Sequence, residues 1–142
     1  TSYQAYDRAV TDAALAWLHE RASQPRHRPF CLVIGTVLPH CPLFCPQELL
    51  DAYYPRTSIP RLSETERAGM HPALAALRER RGIVGLPDDV IRTARAAYYG
   101  LVSMTDTFVG EVMAELDSSG LSANTAFFYT SDHGDMAGEH EL

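Results

Sequence analysis

The sequence contains no lysine. All twelve of its Lys/Arg cations are arginines, so any chemistry that needs an ammonium group must obtain it from outside these 142 residues. It also lacks a run of about 18 apolar residues that could span a bilayer. Asp7, Asp12 and Glu20 interrupt the region where a signal peptide would be uniformly apolar. The net charge of -6, without a Lys/Arg run, excludes a surface built to replace counterions on nucleic acid or an anionic membrane. Only three cysteines are present, Cys31, Cys41 and Cys45, an odd number with no disulfide-framework spacing. That pattern favours reduced thiols and leans toward the cytoplasm, without fixing the compartment.

A hydrophobic content of 46% suffices for the core of one ordinary domain. Ala9, Val10, Ala13, Ala14, Trp17 and Leu18 recur at three and four residues, which predicts an amphipathic helix over 6–21. The polar stretch 23–28 leads to Pro29, and residues 30–34 form a short apolar run expected to be a buried strand. Pro39, Pro42 and Pro46 make the next segment a loop, followed by a short helix over 46–53. Residues 54–86 read as an excursion with a weak helix over 73–81. Pro87, Asp88 and Asp89 start a long helix running to about 117, and Gly120 ends it. Residues 124–130 then read as a second buried strand. Strands separated by helical crossovers imply an α/β fold with a mainly parallel central sheet, whose carboxyl ends collect ligands.

Two polar constellations fall at those expected strand ends. After the second strand come Ser131, Asp132, His133, Gly134 and Asp135; an adjacent carboxylate and imidazole can both ligate a divalent cation. In isolation the pair reads first as a turn cap, Asp132, and an ordinary polar loop residue, His133. After the first strand come Leu38, Pro39, His40, Cys41 and Pro42, with prolines holding one imidazole that could act on an anion. Cys41 and Cys45 admit a zinc reading, but a structural zinc site needs four ligands and no second Cys/His pair has suitable spacing. Asp106, within an apolar helical segment, reads as structural. Asp135, Glu139 and His140 read as members of a solvated loop.

The stretch from Asn124 through Thr130-Ser131-Asp132-His133-Gly134-Asp135 and on to Gly138-Glu139-His140-Glu141 resembles the sulfatases of the alkaline phosphatase superfamily, in particular the choline-sulfatase-like and phosphonate monoester hydrolase-like branches. The likeness extends back through residues 94–106 with Val109 and Gly110, and Pro39-His40-Cys41-Pro42 matches a Pro-His-x-Pro loop of the same family. The resemblance implies an alkaline-phosphatase-like α/β sandwich of which residues 1–142 are an internal part. It implies Asp132 and His133 as cation ligands, calcium first with manganese or magnesium as alternatives. It also implies His40 as a sulfate-binding residue or leaving-group proton donor.

The reaction implied is metal-assisted hydrolysis of a small-molecule sulfate ester by a formylglycine nucleophile. No Cys/Ser-x-Pro/Ala-x-Arg motif occurs here, so that nucleophile is expected outside the chain, as are an acidic pair before it and a sulfate-binding Lys after it. The remainder of the catalytic domain is the implied partner; oligomeric state is left open. The expectation for geometry is that His40, Asp132 and His133 line one cleft. The alternatives are a phosphonate monoester or phosphodiester hydrolase of the same superfamily, or a non-catalytic truncated α/β module.

Overall fold

The computed structural model describes residues 2–24 and 29–142; residues 25–28, the end of the polar stretch, lie outside the described residues. Among the described residues five α-helices carry the fold: α1 (Ser2–Ser23), α2 (Gln47–Tyr53), α3 (Glu64–Ala68), α4 (Pro72–Arg81) and α5 (Asp88–Ser118). Short 3-10 turns occupy Tyr54–Arg56, Ser122–Asn124 and Glu139–Glu141. The chain divides into two compact units, Thr1–Phe44 with Leu101–Thr130, and Cys45–Gly100 with Ser131–Leu142.

The expected parallel sheet is absent: among the described residues there is no strand. Residues 30–34 alternate between half-buried and exposed. Phe30, Leu32 and Ile34 pack on the core, while Cys31 and Val33 point out, Val33 being 86% exposed. Thr125 is extended, and residues 126–130 are exposed rather than buried, Phe128 to 87%. A strand is defined by the neighbour that satisfies its backbone N–H and C=O groups. Among the described residues neither segment is assigned to a strand, so the α/β assignment is corrected to a helical fold.

In the first unit, α1 runs longer than expected and its buried face is rotated. Of the six apolar residues in the predicted stripe, only Ala14 and Leu18 are buried; Ala9, Ala13 and Trp17 are exposed. The buried line is Asp7, Thr11, Ala14 and Leu18, spaced by four, three and four residues. Two polar residues therefore share the inward face. Leu18 meets Val112, Leu116 and Leu121, with Phe30, Leu32 and Ile34 packed around them. Trp17 sets its ring edge to Phe30 at 5.0 Å between centroids. Arg8 adds a charged tie to α5, donating to Glu111 at 3.0 Å and 2.7 Å while lying over the Phe108 ring. The end of α5 follows its local code: Gly120 has φ +66°, and Leu121 N–H donates to the Leu116 carbonyl at 2.9 Å, a closure that satisfies carbonyls the helix leaves open.

In the second unit, Ser63 caps α3, accepting from Glu66 N–H while the Glu66 carboxylate accepts from Ser63 N–H at 2.8 Å. Gly82, at φ +66°, closes α4. Gly100 lets α5 approach α2: a Cβ there would fall 2.3 Å from Cys45 Sγ and 3.1 Å from Leu49 Cβ. Burial against this helix pushes the Cys45 thiol pKa up, which keeps it a small apolar group rather than a thiolate ligand.

The segment after residue 136 is held by arginines. Arg78 and Arg67 both donate to the Glu141 carboxylate, Arg67 at 2.6 Å, and Arg78 Nε also donates to the Glu141 carbonyl at 3.1 Å. Arg95 donates to the Ala137 carbonyl and lies 3.3 Å from Glu139. Ala137, His140 and Glu141 have φ of 47°, 54° and 56°, values that cost about 1–2 kcal/mol per non-glycine residue and persist only when neighbours impose them.

The Arg67 hydrogen bond, with the charges of Arg78 and Arg67, holds the Glu141 carboxyl below its ordinary pKa. Its contribution to stability is therefore present above the ordinary carboxylate pKa and is lost as the pH falls through the lowered one. Arg78→Ala should destabilise this chain by about 1–3 kcal/mol near neutral pH. The deficit should shrink below the lowered Glu141 pKa. Denaturant midpoints across pH check both; a deficit independent of acidification would show that the ion pair does not anchor the segment.

Candidate functional site

His40 lies in the first unit and the Asp132–His133 pair in the second. His40 sits at the end of a turn that begins at Val37, closed by His40 N–H donating to the Val37 carbonyl at 3.0 Å. The peptide bonds preceding Pro39 and Pro42 are cis. The imidazole is exposed, and its Nδ1 is 2.5 Å from the Cys41 carbonyl, so Nδ1–H donates there and Nε2 faces outward. The Tyr3 ring stands edge-on to it, with centroids 6.3 Å apart and planes at 77°. With Nδ1–H engaged by Cys41, Nε2 carries the lone pair in the neutral ring and an N–H only in the imidazolium, the form that can donate to an anion or protonate a leaving oxygen.

The main feature that sequence reasoning missed is beneath this turn. Asp7 is 0% exposed, and its two carboxylate oxygens accept from consecutive amides, Oδ1 from Val37 N–H and Oδ2 from Leu38 N–H, each at 2.8 Å. A carboxylate taken out of water costs several kcal/mol unless charge-assisted hydrogen bonds replace its solvation. A signal was available: Asp7 shares the helical line of Thr11, Ala14 and Leu18, so an acid stood on an inward face and required a partner.

Asp132 and His133 follow residues 125–130, which among the described residues form no strand, so the pair does not stand at the end of a sheet strand as expected. Both are open, Asp132 91% and His133 70% exposed at the side chain. Asp132 Oδ1 accepts from His133 N–H at 3.0 Å, and His133 Nδ1 is 2.8 Å from the Gly134 carbonyl. The Nδ1–H therefore donates to Gly134 and the lone pair resides on Nε2, the tautomer a metal ligand needs. Asp132 Oδ2 and His133 Nε2 are 3.9 Å apart. Two donors at that separation can share a divalent cation about 2.0–2.6 Å from each. The Gly134 carbonyl, then the charges of Asp132 and Asp135, raise the His133 pKa; the same groups that favour its proton would favour a cation.

Among the described residues no group of three or more His, Cys, Asp or Glu side chains gathers as a metal site. The pair thus fits as two ligands of a cation whose coordination needs further donors. Asp106 is exposed on α5, and Asp135 accepts from Ala137 N–H at 2.7 Å, a local turn contact. A shallow depression of about 290 Å³ lies elsewhere in the second unit, lined by Tyr53, Arg56, Thr57 and Tyr99. It contains none of the predicted site residues.

Comparison with known proteins bears on the family of the chain. The family model named Sulfatase matches residues 1–142. Arylsulfatase K of Danio rerio is 32% identical, with 94% of this chain covering 28% of that protein. Iduronate 2-sulfatase of Mus musculus is 32% identical over 94% of the chain and 26% of its own length. The multifunctional alkaline phosphatase superfamily protein PehA of Trinickia caryophylli is 32% identical over 93% of the chain and 28% of its own length. The chain thus spans about a quarter of the length of these curated relatives. No solved structure gives a significant match. With its whole length covered by the family model, the chain belongs to the sulfatase family.

Proposed function

We propose that the protein to which this chain contributes is a sulfuric ester hydrolase acting on a small-molecule sulfate ester, with Asp132 and His133 as two ligands of its divalent cation and His40 at the sulfate. The observation that carries this reading is the Asp132 Oδ2 to His133 Nε2 separation of 3.9 Å, with Nδ1 already engaged by Gly134, in a chain matched throughout by its family model.

A bound cation would supply positive charge for the oxygens that become more negative as the ester bond breaks. His40, as an imidazolium with Nδ1–H held by Cys41, would hydrogen-bond the sulfate through Nε2–H or give that proton to the departing alcohol oxygen, returning to the neutral ring. The sulfatase resemblance puts calcium first, with manganese and magnesium as alternatives; of the two donors here the carboxylate suits calcium, whereas the imidazole nitrogen suits manganese better. A formylglycine nucleophile would come from a Cys/Ser-x-Pro/Ala-x-Arg motif, which these residues do not contain. A phosphonate monoester or phosphodiester substrate is the second reading, favoured by the likeness to a relative named as multifunctional.

The test is hydrolysis of an aryl sulfate by the full-length protein, set against an aryl phosphonate monoester and a phosphodiester. Sulfate turnover that disappears with a chelator and returns with the cation is expected. Residues 1–142 alone should turn over none of the three, because covalent catalysis has no substitute for its attacking group. Preferred turnover of the phosphorus esters would favour the second reading; turnover by the isolated 142 residues would overturn the assignment of the nucleophile.

A further inference from the structure

We infer that Asp7 is a positioning residue for His40, its buried carboxylate fixing the turn that presents the imidazole to substrate. The inference rests on the sulfate-site reading of His40 and adds a group that no family motif singled out.

Asp7 binds the two amides at the start of the turn, Val37 and Leu38, and the turn closes through Val37 C=O to His40 N–H. Two consecutive peptide planes are thereby set by one carboxylate. Other residues on the first turns of α1 extend the grip: Tyr3 stands against the His40 ring, Gln4 Nε2 donates to the Phe44 carbonyl at 2.8 Å, and Thr11 Oγ1 donates to the Asp7 carbonyl at 2.8 Å. The His40 ring itself is exposed and its Nδ1 is tied to the adjacent Cys41 carbonyl. The position of Nε2 therefore follows the backbone of the turn rather than packing around the ring. Buried charge would be an expensive way to secure a loop whose position did not matter, since an apolar contact from the same helix could cover it. Where a group must be held within about 0.5 Å, support from a rigid element beneath it is the usual means.

The experiment is a double-mutant cycle in the full-length enzyme with an aryl sulfate, using Asp7→Asn, His40→Ala and both together, with cation content measured for each. Asp7→Asn keeps the shape but replaces one acceptor with a donor facing a backbone N–H. It should lower kcat by about 100-fold, the scale of a 1 Å misplacement, with cation content unchanged. The double variant should be no slower than His40→Ala alone, because Asp7 acts through that ring. Leu18→Ala, a core truncation on the same helix, controls for destabilisation and should keep kcat within about twofold of wild type.

Multiplying effects in the double variant, or an Asp7→Asn enzyme with wild-type kcat beside an impaired His40→Ala enzyme, would overturn the inference. An unimpaired His40→Ala enzyme would instead refute the sulfate-site reading on which it rests. If Asp7→Asn does not fold, Asp7→Glu carries the same cycle, because it retains both acceptors but displaces them by one methylene.

Discussion

In the full-length enzyme, Asp132→Ala is expected to lose bound cation and about three orders of magnitude in turnover together. The expectation follows from the openness of the pair. Asp132 is solvated and its carboxylate engages the adjacent His133, accepting from its N–H and lying 3.9 Å from its Nε2, so removing it should leave the fold intact. What disappears is one of two donors that a cation could share with Nε2 of His133. Cation stabilisation of a sulfuryl transition state is worth several kcal/mol, and about 1.4 kcal/mol corresponds to tenfold in rate. Denaturant stability should shift by no more than about 0.5 kcal/mol, the usual range for surface substitutions. Loss of turnover with full cation occupancy would assign Asp132 a role other than ligation.

His40→Ala should behave differently: full cation occupancy, with kcat lower by about 100- to 1000-fold. A positioned proton donor or a single oxyanion-type donor contributes on that scale. The imidazole is exposed and its polar contact is to its own neighbour's carbonyl, so the truncation removes little packing. An aryl sulfate with a better leaving group should be less sensitive to the substitution if His40 protonates the departing oxygen. Equal sensitivity across leaving groups would assign it to sulfate binding. Loss of cation on His40→Ala would contradict the division of roles between the two loops.

The helices were legible in the sequence because their signals are local. Pro87, Asp88 and Asp89 marked the start of α5, and Gly120 its end, through backbone and dipole effects confined to one turn. Helix α3 was also encoded, by Ser63 and Glu66 at capping-box spacing, but lies among prolines and lacks an apolar run. The error at residues 30–34 and 125–130 has another origin. A short continuous apolar run reads as a strand buried on both faces, yet only Phe30, Leu32 and Ile34 pack on the core while Cys31, Val33 and residues 126–130 are exposed; backbone pairing depends on a distant partner that no local pattern specifies.

The site was legible in part. The pairing of Asp132 with His133 could be read from adjacency and from family likeness, whereas the His133 tautomer depends on where the Gly134 carbonyl points. Asp7 was overlooked because the α1 stripe was counted from apolar residues alone. Counting any residue at inward spacing would have exposed a buried acid and raised the question of its partners, 30 and 31 residues away. The arginine anchors at 67, 78 and 95 are long-range in the same way, joining helices to a segment more than 40 residues later.

The most direct measurement is anomalous diffraction from crystals of the full-length protein grown with manganese, which scatters strongly where calcium does not. A peak about 2.0–2.6 Å from both the Asp132 carboxylate and His133 Nε2 is predicted. A peak coordinated by other residues, with Asp132 and His133 both outside its ligand shell, would contradict the assignment.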